Sequence, residues 1–400
     1  MTPDRNEAAW WLNRAPGLGA VRLRQLTKLL GPPERIWELV REAGTRGDAR
    51  EASVLYKKLR ELADNHQAEH SGERLRLTEK NLRVLLLHEK EIQKSAEEYH
   101  RWKEKGIRFI TTWDSAYPRR LLPLYDRPFA LYFRGNLPAE ERRSAAVIGA
   151  RACSGYGGGQ GRRIARELAE AGVQIISGLA YGVDSAGHRG ALDSGHPAAT
   201  WAVLGCGPEQ CYPREHLRLG ERILENGGGL ISEYPPGTGA LAPHFPMRNR
   251  IISGLSDCIL VMEARKRSGS LITVDQALEQ GKEVFALPGP IDEPLSEGCH
   301  RLLQNGAAVL TGSQTVLDFL FPGREKERPQ NKTLDKFEKN ALAPEKNMVY
   351  SCLDYRGKTI EEIIALTGLP LSSVQTRLLE LLLAGRITET AKGCYSRLPR

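Results

Sequence analysis

One stretch, Ala145 to His188, sets the strongest limit on how this chain can fold. It opens with an apolar run, Ala145-Ala146-Val147-Ile148, that stops at Gly149-Ala150-Arg151. A glycine-rich turn, Ser154-Gly155-Tyr156-Gly157-Gly158-Gly159, leads into a helical pattern from Gly161 to Ala171. A second run, Val173-Gln174-Ile175-Ile176, stops at Ser177-Gly178 and is followed by a further loop and helix. Short β-branched runs that end in glycine and alternate with helices predict a parallel sheet with helical crossovers. In such a sheet ligands bind beyond the carboxyl ends of the strands, and both special loops lie there.

The rest of the chain extends this pattern on both sides. Residues 1–105 read as helical, with Leu23, Leu26, Leu29 and Leu30 on one face. The G-x-G turn Pro16-Gly17-Leu18-Gly19 suits either a simple turn between packed helices or a helix-hairpin-helix holding a phosphate on its amides. From Arg41 to Glu98 mixed charge predicts solvated helices. Short strands are expected at Ile107–Ile110 and Ala130–Arg134, with Pro118, Pro123 and Pro128 forbidding helix between them. Further strands are predicted at Trp201–Leu204, Cys258–Met262 and Val284–Leu287, so the sheet domain runs over 106–322. Residues 323–346 are charged and proline-bearing, which is a linker composition. In 347–400, capping boxes at Thr359-x-x-Glu362 and Ser372-x-x-Gln375 and a short alternating segment predict three helices and a hairpin, a winged helix.

Several function classes are excluded. No apolar run approaches the ~18 residues that cross a bilayer, and Met1–Glu7 lacks the apolar core of a signal peptide, so a cytoplasmic protein is expected. Seven scattered cysteines imply reduced thiols; Cys206 and Cys211 have no companion pair for zinc. The net charge of +8 permits a polyanionic partner without requiring one.

The loops at the strand ends concentrate anion-binding chemistry. After the first strand come Gly149 and Arg151 with Gly155 and Gly157, offering close backbone approach, helix-start amides and a planar donor fork. After the second come Ser177, Gly178 and Tyr181. A third loop reads Arg265-Lys266-Arg267-Ser268-Gly269-Ser270 before a helix, and Arg248-Asn249-Arg250 lies just ahead of another. Tyr181, Tyr234 and Phe245 could stack on bases or belong to the core. The dinucleotide fingerprint and the G-K-[ST] phosphate loop are absent, so no cofactor is expected. Asp184, His188 and Glu233 share no catalytic spacing, and His188 reads as structural. The expectation is a groove for a phosphate-rich polymer, with a small nucleotide as the other possibility.

At this point the residues identify a family. The segment from Tyr117 to Ala308 resembles the DNA-processing protein A (DprA or Smf) family. The resemblance rests on Tyr117-Pro118, Arg134-Gly135-Asn136, Val147–Arg151, Ser177–Asp184, His188–Leu192, Ala202–Gly207, Ser232–Pro236, Phe245–Ile252, Ser268–Thr273 and Leu287-Pro288-Gly289. It implies an extended Rossmann-like, mostly parallel sheet with an N-terminal helical domain and a C-terminal winged helix. It also implies a non-catalytic protein of natural transformation that forms a homodimer through that sheet domain, binds single-stranded DNA, protects it and loads the RecA recombinase. The family's phosphate-binding arginine maps onto Arg151. Where relatives usually read Gly-Ser-Arg and Ala-Arg-Gly, this chain has Gly149-Ala150-Arg151 and Ala180-Tyr181-Gly182, and an often basic position is Ala199.

Two other readings are weighed against this one. A nucleotide-phosphate hydrolase of the lysine-decarboxylase-like class would need Glu233 or Glu263 as its acid. A DNA-reading tail would rely on the helix Ser372–Leu383, which carries one cation, Arg377, and is therefore expected to bind protein, or DNA only weakly.

Overall fold

A computed structural model describes residues 3–44, four positions between 53 and 61, 77–323, 344–354, 357–391 and 393–397. The expectations for most of 45–76 and for most of the linker 323–346 lie outside the described residues.

Nine strands form one sheet in the order β1-β2-β6-β5-β4-β3-β7-β8-β9. They are β1 (Arg108–Thr111), β2 (Ala130–Gly135), β3 (Ser144–Ile148), β4 (Gln174–Ser177), β5 (Thr200–Leu204), β6 (Gly229–Ser232), β7 (Cys258–Val261), β8 (Glu283–Ala286) and β9 (Ala308–Val309). The run from β6 to β9 is parallel, and β2 pairs antiparallel with both β1 and β6. The chain enters at β3, moves one way to β4, β5 and β6, then returns to the other side of β3 for β7. The direction of progress therefore reverses between β3 and β7, which opens a crevice at their carboxyl ends.

Side chains of the central strands alternate between two buried layers, as a period of two requires. Ala146, Ile148, Ile176, Trp201, Val203, Ile259 and Val261 enter one core. Ala145, Val147, Ile175, Cys258 and Leu260 enter the core on the opposite face. Burial on both faces explains why these strands read as continuous apolar runs.

The glycine-rich segment is not a turn. Ser154 caps a helix that already begins at Gly155 and runs to Glu170, its hydroxyl accepting from the Gly157 N–H. Arg248-Asn249-Arg250 likewise lies inside a helix, His244–Gly254, and not ahead of one. Pro246 sits in the first turn of that helix, where its missing N–H leaves no hydrogen bond unmade.

Five helices in the described part of residues 3–104 pack on the outer strands and share one core with them. Trp10 meets Tyr99, Phe109 and Tyr132 edge-on, with ring centroids 5.6, 5.2 and 4.9 Å away. Asn13 donates to the Tyr132 hydroxyl at 2.8 Å. The helical block and the β1–β2 pair are thus one packed unit.

The C-terminal part has three helices, Pro344–Cys352, Ile360–Thr367 and Leu371–Leu383, and a small sheet ordered β10-β12-β11 (Lys358–Thr359, Cys394–Arg397, Ile387–Ala391). This is the expected winged helix, with its own core around Val349, Ile363, Val374 and Leu378. The capping box at Thr359 and Glu362 forms. The one expected at Ser372 does not, because the helix starts at Leu371 behind Pro370 and Ser372 is already in its first turn. Among the described residues no helix is long and apolar enough to cross a membrane.

Candidate nucleic-acid interface

The loops after β3, β4 and β7 are fastened to one another. Ala150 N–H donates to Glu263 O at 2.8 Å, and Val183 N–H donates to Ala150 O at 3.2 Å. Gly182 closes this contact at φ +71°, where a Cβ would lie 2.3 Å from Ala150 O. Beyond these strand ends lies an open cleft of about 640 Å³. Its lining includes Gly149, Arg151, Tyr212, Phe245, Arg248, Asn249, Arg265, Arg267, Ser268, Gly269 and Ser270.

The cations here divide into rim and floor. Arg151, Arg265 and Arg267 are exposed, and among the described residues none has a hydrogen-bond or carboxylate partner. Arg151 instead holds its guanidinium 5.5 Å from the Phe245 ring centroid. Arg248 lies beneath, only 4% exposed. It donates from Nη1 to Gly178 O at 2.8 Å and to Val203 O, tying the ends of β4 and β5 together. It also sits 5.9 Å from the Phe245 ring centroid, so that ring has two guanidinium groups near it. Burial pushes the neighbouring Asp184 carboxyl up, opposed by the charge of Arg248 and by the Ala180 and Gly178 amides. The helix behind Ser268 starts at the rim, with Ser268 accepting from Ser270 N–H at 3.4 Å.

Not every expected residue joins the cleft. Arg248 and Arg250 are two apart on a helix, hence about 200° apart around its axis, and point to opposite sides. Arg250 is 3% exposed and pairs with Glu233 through Nη2 at 2.8 and 2.9 Å and with Asp126 at 2.9 Å. The amides around Gly155 and Gly157 also face an anion, but an internal one. Glu263 accepts from Ser154 N–H at 2.8 Å and Ser154 Oγ at 2.5 Å, and a Cβ on Gly157 would fall 2.3 Å from the Glu263 carboxyl carbon. Ser177 donates inward to Val147 O at 2.7 Å. Gly178 donates to Asp184 at 3.1 Å and is bare because a Cβ would meet Arg248 Nη1 at 2.6 Å. Tyr181 stands outside the cleft and donates to Glu215 at 2.7 Å. Lys266 is exposed beside the rim without lining it.

Of the acid–base candidates, Asp184 lies at the cleft but is buried and accepts from Gly178 N–H at 3.1 Å beside Arg248; the others are committed elsewhere. Glu233 holds Arg250, and Glu263 holds the helix start at Ser154. His188 is buried mid-helix in Val183–Asp193, hydrogen-bonded to Thr200 Oγ1 at 2.7 Å. No group of three or more metal-ligating side chains occurs among the described residues, and Cys206 and Cys211 are free thiols.

Tyr212 is a cleft residue that sequence reasoning missed. Tyr212, in the loop after β5, is 46% exposed, with its ring centroid 5.4 Å from that of Phe245. The available signal was topological: every parallel strand delivers its following loop to the same edge, so the segment after Gly205-Cys206-Gly207 belonged to it as well.

Comparison with known proteins gives one consistent result. Residues 108–321 match the family model of DNA recombination-mediator protein A, and residues 336–393 match the DprA winged helix domain. Protein Smf of Escherichia coli is 42% identical over 311 residues, covering 77% of this chain and 82% of that protein. The DNA processing protein DprA of Streptococcus pneumoniae is 45% identical over 204 residues, covering 51% of this chain and 71% of that protein. Its X-ray structure superposes with a TM-score of 0.57 at 32% identity, over 80% of this chain and 99% of that one. By fold, by the order of its motifs and by these matches, the chain belongs to the DprA/Smf family of DNA recombination-mediator proteins.

Proposed function

We propose that this chain binds single-stranded DNA in the cleft beyond β3 and β7, without catalysing a reaction on it. The observation that carries this reading is the convergence of Arg151, Arg265 and Arg267, none in an ion pair with a described residue, on the cleft that also holds Phe245. Such a rim matches a flexible chain of phosphates carrying flat apolar groups. The proposed contact set is Gly149, Arg151, Phe245, Asn249, Arg265, Lys266, Arg267, Ser268, Gly269 and Ser270, over a floor made by Arg248. Family membership supports a role in natural transformation, in the cytoplasm, in which the bound strand is protected and passed to the RecA recombinase. It also supports a homodimer formed through the Rossmann-like domain (106–322), flanked by the helical domain (1–105), the linker (323–346) and the winged helix (347–400). A nucleotide-phosphate hydrolase would need a free acid at the cleft; Glu233 and Glu263 are engaged elsewhere, and Asp184, which does line the cleft, is buried and held by the Gly178 amide beside Arg248.

Gel-shift titrations with single-stranded and duplex DNA over a series of salt concentrations test this. We expect preference for the single strand and an affinity that falls with salt at a log–log slope of about −0.7 per phosphate neutralised. Affinity flat across salt, or release of base from nucleoside monophosphates, would overturn the reading. Removal of residues 345–400 is expected to leave most of the single-strand affinity.

A further inference from the structure

We infer that Tyr212 is a nucleobase-stacking residue, so that the cleft recognises unpaired bases as well as phosphates; this rests on the reading above. The ring stands half exposed at the cleft, in a loop that brings it beside Phe245 with the two planes tilted by 42°. At that tilt the two rings are not stacked face to face. Phe245 is itself hemmed in: Arg151 and Arg248 lie near its ring, and the backbone at Gly205 approaches so closely that a Cβ there would be 3.0 Å from the ring. Among the described residues the Tyr212 hydroxyl has no hydrogen-bond partner, and the side chain's one ring contact is with Phe245.

An exposed aromatic of this size leaves apolar area in water that a fold would otherwise bury. Here that area shares one cleft with three guanidinium groups that form no ion pair with the described residues. A ligand satisfying both features carries an anion and a flat π face within the same short repeat. A nucleotide does so when its base is out of the duplex stack, and a stacking platform accepts any base because each has a π face. Phosphates on Arg151, Arg265 and Arg267 would then set the register, and Tyr212 would sense whether the base is free.

The test compares a thymidine oligomer with an abasic phosphodiester chain of equal length and charge, on the full chain at fixed salt. The intact protein is expected to prefer the base-bearing oligomer by about tenfold or more. Tyr212→Leu should bind that oligomer only as well as the abasic chain, whereas Tyr212→Phe should retain the preference. An intact protein that does not distinguish the two probes would overturn the inference, and this comparison needs no variant to fold. Tyr212→Leu with undiminished affinity for the thymidine oligomer would also overturn it. The underlying reading fails separately: an Arg151→Ala, Arg265→Ala, Arg267→Ala protein that binds both probes as the parent does would remove the cleft itself as the site. If that triple variant is weakened on both probes while Tyr212→Leu is not, the cleft stands and the stacking role falls.

Discussion

The Glu263 carboxylate takes the place of a bound anion at the start of the Gly155–Glu170 helix, 2.8 Å from Ser154 N and 2.5 Å from Ser154 Oγ. It sits directly against Gly157. Removing either member should cost stability for different reasons. Gly157→Ala drives a methyl into the carboxylate and should cost about 1–3 kcal/mol. Glu263→Ala leaves Ser154 unsatisfied and should cost a similar ~1–3 kcal/mol. The double variant should fall well short of the sum, because the second change makes room for the first. Chemical denaturation of the three proteins checks this, and strict additivity would contradict the contact.

Arg250 and Arg151 should separate stability from binding. Arg250→Ala strands Glu233 in a largely buried position and should cost about 3 kcal/mol, while the affinity of the folded protein for single strands changes less than ~2-fold. If Arg250→Ala weakens binding as strongly as a rim substitution at unchanged stability, the assignment of opposite faces is wrong.

Arg151→Ala should do the reverse. The side chain forms no ion pair with the described residues, so the free energy of unfolding should stay within about 0.5 kcal/mol of the parent. Single-strand affinity should fall for all sequences alike, and the log–log salt slope should flatten by about 0.7. A sequence-selective loss would indicate base readout at this residue.

His188 predicts a pH dependence. The Thr200 hydroxyl gives its proton to Ile175 O at 2.7 Å, so His188 Nδ1 is the donor in its 2.7 Å bond to Thr200, and Nε2 has no partner among the described residues. Burial, reinforced by His216 and Arg248, pulls the imidazole down to about 3. The unfolded chain, with an ordinary value of about 6.5, therefore takes up the proton first. The residue's contribution is full above about pH 6.5 and is lost as pH falls toward 3, with a slope approaching ~1.4 kcal/mol per pH unit. Denaturant titrations at pH 7, 6 and 5 should show that slope, and His188→Gln should lose it.

Trp10→Ala should cost about 3–5 kcal/mol, since the indole fills the shared core between the helical block and β1–β2. Because the unit is continuous, the near-ultraviolet signal of Tyr132 and the helical signal should be lost together. Separate transitions would show that the block is independent of the sheet.

The central strands β3, β4, β5 and β7 were legible because burial on both faces leaves unbroken β-branched runs. β6 was not: Gly229-Leu230-Ile231-Ser232 is short and glycine-flanked, and only its place between β5 and β2 makes it a strand. The helix His244–Gly254 was read too late because Pro243 and Pro246 resemble a stop, yet both lie where a helix tolerates proline. That error made Arg248 and Arg250 look like neighbours on one surface. The glycines at 155 and 157 gave the right chemistry, close approach of a negative charge, but one sequence cannot say that the charge comes from Glu263. The place of Arg151, Arg265 and Arg267 at the cleft was readable because they directly follow the ends of β3 and β7, where the sheet reverses direction.

Arg248 staples two strand ends from below while forming the cleft floor. Drift at this position would therefore unsettle the sheet before it altered what the cleft accepts. The lip, at positions 151, 212 and 265–267, bears no such burden. If the cleft holds single strands as proposed, a lineage facing a different salt level, or strands of another composition, could retune its grip there by single substitutions and leave the architecture underneath intact.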